Sequence, residues 1–131
     1  YIGLGAGAAS WLNPNRIMNI ASPEKYISAI TAQQNFHQEQ TLCSPSTILF
    51  DVLMMGLRLE SKGVALDRVA ALSGLDAKQH YSTQWDEFVS DGLIDFYNEK
   101  GQGFVRATEK GYLHLDTILA ELLPDDDVLT V

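Results

Sequence analysis

The 131 residues suffice for one compact domain with a real core and are too few for two. Apolar residues make up 46% and charged residues 20%, a globular balance that excludes a disordered chain, and no apolar run approaches the roughly 20 residues of a membrane span. Seventeen acids against nine bases give a net charge of -8, which opposes nucleic-acid binding, and one cysteine, Cys43, cannot build a disulfide framework or an all-cysteine metal or iron–sulfur site.

The chain opens on Tyr1-Ile2-Gly3-Leu4-Gly5, with no basic region and no cleavage signal. It reads as the end of a buried strand, so the chain is expected to be a piece of a longer protein. Gly5-Ala6-Gly7-Ala8-Ala9-Ser10 follows, small residues that let backbone come close to something. Asn13-Pro14-Asn15 is a turn, and residues 16–20 form a short extended piece. Ser22-Pro23 is a helix start, and Tyr26, Ile27 and Ile30 form its apolar stripe. Residues 33–43 are polar and unpatterned and read as a connection.

Ser44-Pro45 repeats the helix-start signal. The helix after it, through Leu59, is apolar nearly all round and is expected to be the central buried helix, with Met54 and Met55 in the core. Leu66 to Leu72 mark a short helix stopped by Gly74. Asp76 caps the next, whose stripe is Tyr81, Trp85, Phe88 and Val89. Residues 93–107 read as a hairpin turning over Asn98 to Gln102. Thr108 begins a last helix with Leu115, Ile118, Leu119, Leu122 and Leu123 on one face. Pro124 and Asp125 to Asp127 end it in a solvated tail. The fold class is therefore α+β, mostly helical. From residue 64 onward the order is that of a winged helix: helix-turn-helix, β-hairpin wing, C-terminal helix.

Such a fold first suggests DNA. The second helix, which would enter the groove, carries Asp76, Lys78, Asp86, Glu87 and Asp91, a net of -3. The hairpin charges sum to zero over Asp95, Glu99, Lys100 and Arg106. No nucleic-acid partner is expected, and the motif reads as a packing or interaction module. Gly3-x-Gly5-x-Gly7 lacks the third glycine and the helix of a dinucleotide fingerprint. It either lies against a ligand or packs tightly. His37, His80 and His114 have no ligand spacing and read as surface or boundary residues, and Cys43 has no paired histidine motif. No catalytic or metal-binding residue is assigned. Arg58 stands in the most apolar helix, so it must reach the surface, pair with an acid, or meet an anionic ligand or a neighbouring domain. A structural pair is the preferred alternative.

Several runs in order resemble one family. Residues 1–11, Tyr1-Ile2-Gly3-Leu4-Gly5-Ala6-Gly7-Ala8-Ala9-Ser10-Trp11, are similar to the Y-L-G-x-G-A-G-A-x-S-x stretch of oxygen-independent coproporphyrinogen III oxidase-like radical SAM proteins, the HemW/HemN family. Arg16-x-x-Asn19 followed by Tyr26, then Met54-Met55-Gly56-Leu57-Arg58-Leu59 with Gly63-Val64, resemble further family segments. So do Asp91-Gly92-Leu93 and Thr108-Glu109-Lys110-Gly111. The resemblance implies that residues 1–43 are the end of a radical SAM barrel and its connecting segment, and residues 44–131 a HemN-type C-terminal domain. It implies a cytoplasmic parent with a 4Fe-4S cluster and S-adenosylmethionine, and possibly heme, on its N-terminal barrel; no cofactor is expected within this chain. The implied partners are that barrel and a porphyrinogen or heme. Gly5, Gly7, Arg16, Asn19 and Arg58 become candidates for substrate or heme contact, because arginine suits propionates. Ala9 stands where many chaperone-type members have histidine, so no ligand is carried over there. The glycine run favours the chaperone-like branch. The competing reading is a winged-helix interaction or regulatory domain that never touches tetrapyrrole.

Overall fold

The computed structural model describes residues 1–59 and 61–125. Of the expected acidic tail, Asp126 and Asp127 lie outside the described residues. The chain is mixed α+β and divides into two compact units, Tyr1–Ser44 and Pro45–Val131. Among the described residues no helix is long and apolar enough to cross a membrane.

In the first unit, strands β1 (Ala9–Leu12), β2 (Asn15–Asn19) and β3 (His37–Leu42) form an antiparallel sheet in the order β1-β2-β3. Helix α1 (Pro23–Thr31) connects β2 to β3. Its start is the expected one: the Ser22 hydroxyl accepts from the Lys25 N–H, with Pro23 in the first turn. Two expectations fail here. Residues 37–42 are a strand, because β3 pairs along β2 from Asn15↔Leu42 to Asn19↔His37. Its sequence HQEQTL shows no alternation since neither of its faces is well buried. Residues 1–5, expected to be a buried strand, join no sheet ladder and leave Tyr1, Ile2 and Leu4 exposed. They lie along β1, where Tyr1 and Trp11 exchange N–H···O bonds of 3.1 and 3.0 Å. Cys43 closes the unit, buried, its N–H donating to the Pro14 carbonyl.

The second unit holds the core. Helix α2 (Pro45–Leu59) buries Leu49, Leu53 and Leu57 completely. The short strand β4 (Val64–Ala65) and helix α3 (Leu66–Ser73) follow, and Gly74 ends α3 in a left-handed conformation. Gly56 is required by close approach: a methyl group there would overlap Val64 of β4. The helix capped by Asp76 breaks at Tyr81 into α4 (Ala77–His80) and α5 (Ser82–Ser90). At the break the Trp85 indole donates to the Ala77 carbonyl at 2.8 Å, and the Tyr81 hydroxyl donates to the Leu122 carbonyl at 2.8 Å. Strands β5 (Ile94–Glu99) and β6 (Gln102–Ala107) form the hairpin, and β6 lies centrally in the order β4-β6-β5. The turn is shorter than expected, just Lys100 and Gly101, both at positive φ, as a two-residue hairpin demands. The last helix also breaks, at His114, into α6 (Glu109–Leu113) and α7 (Leu115–Glu121), which buries Ile118 and Leu119.

The expectation that α2 is buried throughout also fails. Thr47 to Leu53 are buried, but Met54 is half-buried and Met55 exposed, as are Arg58 and Leu59 in the last turn.

Candidate functional site

Three of the five candidate residues meet in the first unit. Gly5 and Gly7 have φ of 105° and 68°, which a side chain would resist. They turn the chain so that the Gly7 N–H donates to the Ile20 carbonyl at 3.0 Å. Asn19 fastens this turn from below: it is 1% exposed, and its Nδ2 donates to the carbonyls of Gly3 (3.4 Å) and Gly5 (3.0 Å). The Asn19 Oδ1 lies 3.0 Å from Nδ1 of His37 on β3. The R-x-x-N pattern pointed to Asn19, whereas nothing in the sequence pointed to His37. A bulge between Met18 and Asn19 sets the pairing Asn19↔His37, and such a register shift has no signature here.

Arg16, the fourth candidate, is exposed on β2. It stands opposite Trp11 of β1 and Thr41 of β3, so the three side chains share one face of the sheet. Among the described residues, the Trp11 indole N–H is buried without an acceptor. A buried donor in that condition costs about 1–3 kcal/mol, and an arriving acceptor would relieve it. Trp11 was absent from the candidates because strand pairing, not spacing, brings it beside Arg16.

Arg58 belongs to the second unit. Its Nη2 donates to Asp116 Oδ1 of α7 at 2.7 Å, an ion pair with side chains 49% and 93% exposed. The pair lies in a cleft of about 240 Å³ with Tyr112, Leu113 and His114. Arg58 thus reaches the surface and pairs with an acid of this chain, the preferred reading, because the last turn of α2 opens to solvent.

The donor sets decide which groups these residues could hold. A four-iron cluster needs several thiolates, and Cys43 is buried and single, so the residues of this chain do not fit one. Among the described residues no three His, Cys, Asp or Glu side chains cluster as a chelating set.

Comparison with known proteins places the chain. Its sequence is 25% identical over 126 residues to the heme chaperone HemW of Lactococcus lactis subsp. lactis (strain IL1403), covering 96% of this chain and 31% of that protein. The chain therefore spans about a third of the length of that relative. Its structure superposes on coproporphyrinogen III oxidase (HemN) from Escherichia coli, described as a radical SAM enzyme, with a TM-score of 0.61 and 16% identity, over 92% of this chain and 27% of that one. Residues 43–114, more than half of the chain, match the profile of the HemN C-terminal domain, and the chain belongs to that family.

Proposed function

We propose that this chain is the C-terminal accessory part of a radical SAM coproporphyrinogen III oxidase-like protein or heme chaperone, and that it covers the barrel and helps to bind a porphyrin. The carrying observation is the composition of the first unit. Its buried apolar residues are Ala29 and Cys43, while Ile2, Leu4, Ile27 and Leu42 are each more than 60% exposed. A three-stranded sheet and one helix with so little core need apolar cover, and the end of a barrel obtains it from the rest of that barrel. Residues 1–43 are then the barrel's last segment and residues 44–131 the C-terminal domain, a winged-helix variant by its order of elements. The 4Fe-4S cluster and S-adenosylmethionine of such a parent belong to the rest of the barrel, and the parent is a cytoplasmic protein.

Under this reading Gly5, Gly7 and Asn19 form the backbone edge that a porphyrin approaches, and Arg16 with Trp11 receives a propionate. Arg58, in the second unit, has the smaller part. The test is porphyrin binding by the full-length parent, followed by quenching of coproporphyrin III fluorescence. Arg16→Met is expected to weaken binding about tenfold, the loss of a charge-assisted contact, and Arg58→Met to leave it within about twofold. Unchanged binding in Arg16→Met would overturn the assignment of Arg16.

One feature favours the second reading, a protein-interaction domain. A cleft of about 340 Å³ runs between α5 and the edge strand β5, lined by Lys78, Trp85, Val89 and Phe96 among others. An edge strand beside an apolar cleft suits an added peptide strand. Loss of a partner in Val89→Asp, with porphyrin binding intact, would favour it.

A further inference from the structure

The glycine turn fixes the protonation pattern of a neighbouring histidine. The carbonyls of Gly3 and Gly5 can only accept, so the Asn19 amide must turn its NH₂ toward them. Its Oδ1 then faces His37 Nδ1 at 3.0 Å. An amide oxygen only accepts, so Nδ1 must carry the proton, and in the neutral ring the lone pair is left on Nε2. Two further contacts hold the residue: its backbone N–H donates to Asn35 Oδ1 at 3.0 Å, and its ring lies 4.4 Å from that of Phe36. Phe36 in turn packs edge-on against Tyr26. The result is an exposed imidazole with Nδ1–H anchored to a buried amide, the arrangement that orients a metal-ligating histidine through Nε2.

One nitrogen donor does not hold a bare divalent ion, and no chelating set surrounds it among the described residues. A lone imidazole suffices only where the metal brings its other ligands with it in a planar macrocycle. Leu4, between the two carbonyls that Asn19 holds, is 89% exposed and offers apolar surface to such a ring. We propose that His37 is an axial ligand, through Nε2, for the metal of a metalloporphyrin seated against the glycine turn. This rests on the tetrapyrrole reading above and adds to it a metal ligand and a requirement for the metal.

The test titrates the full-length parent with hemin and, separately, with metal-free protoporphyrin IX, reading the Soret band. Hemin is expected to bind with the spectrum of imidazole-ligated ferric heme. His37→Ala is expected to abolish that spectrum and weaken hemin binding roughly tenfold or more, while metal-free porphyrin binding stays unchanged and added imidazole restores the spectrum. His37→Gln keeps a donor for Asn19 Oδ1 without the Nε2 lone pair and should behave as His37→Ala while retaining the native far-ultraviolet circular dichroism. Unchanged hemin spectra in both variants, or loss in His80→Ala or His114→Ala instead, would overturn the inference. If metal-free porphyrin binds as well as hemin and the Soret band does not shift, the axial ligand falls and the tetrapyrrole reading stands. If neither binds, both fall.

Discussion

Arg58 and Tyr81 show how surroundings decide what a polar group is worth. The Arg58–Asp116 pair is short but open to water, so solvent screening and side-chain entropy cancel most of its attraction. Arg58→Met and Asp116→Asn should each shift stability by less than about 1 kcal/mol, and a double-mutant cycle in urea should show a coupling that fades with added salt. Tyr81 is the opposite case. Its hydroxyl is buried against the Leu122 carbonyl, and burial pushes its pKa up from 10.0 to about 12. The fold prefers the neutral phenol. Below pH 10 both folded and unfolded chains hold that proton, and the full stabilisation is present. Between pH 10 and about 12 the unfolded chain releases it first, so stability falls as pH rises across that window. Tyr81→Phe should be less stable at neutral pH by about 1 kcal/mol, and the gap to the natural chain should narrow through the alkaline window, as read from urea midpoints.

At the scale of elements, caps were legible and breaks were not, and the stripes held in part, since Ile27 and Ile30 of α1, Val89 of α5 and Leu123 are exposed. Ser22, Asp76 and Thr108 each accept from a backbone N–H in the first turn of their helices, as their sequence signatures indicate. The interruptions at Tyr81 and His114 left no Gly or Pro to read. At Tyr81 the cause is tertiary, since its hydroxyl is tied to a carbonyl 41 residues away. The same limit hid β3, a polar strand held by its ladder alone, and hid His37, which reaches Asn19 only through a register shift. Gly56 gives a test in which packing opposes local preference. Alanine is the better helix former by about 1 kcal/mol, yet its methyl would overlap Val64. Gly56→Ala is therefore expected to destabilise by about 1–3 kcal/mol, and Val64→Ala in the same chain should recover part of that loss in thermal melts.

Over the whole molecule, apolar burial is unequally shared. Leu49, Leu53, Leu57, Val69, Val105, Ile118 and Leu122 are all fully buried, and all lie in the second unit. Residues 45–131 expressed alone should fold with a cooperative thermal transition, while residues 1–44 alone should lack one, because a unit this small whose buried apolar residues are Ala29 and Cys43 has too little core to stand without staples or partners. A cooperative transition in residues 1–44 would remove the argument that this unit needs apolar cover. The family match from residue 43 onward coincides with the part that carries the core, while the candidate ligand residues Gly5, Gly7, Arg16 and Asn19 precede it.

The buried Cys43 makes the chain its own stopwatch. It is the one thiol in the sequence and is 8% exposed, so a thiol-specific reagent reaches it only when its surroundings open. When reclosing outpaces modification, the labelling rate divided by that of a free thiol gives the opening equilibrium directly, with no engineered probe. The rate should be insensitive to Arg58→Met, which acts in the second unit. It should fall by a factor of 1 + [L]/Kd when a ligand closes on the glycine turn, as it would for any ligand that binds the closed form alone.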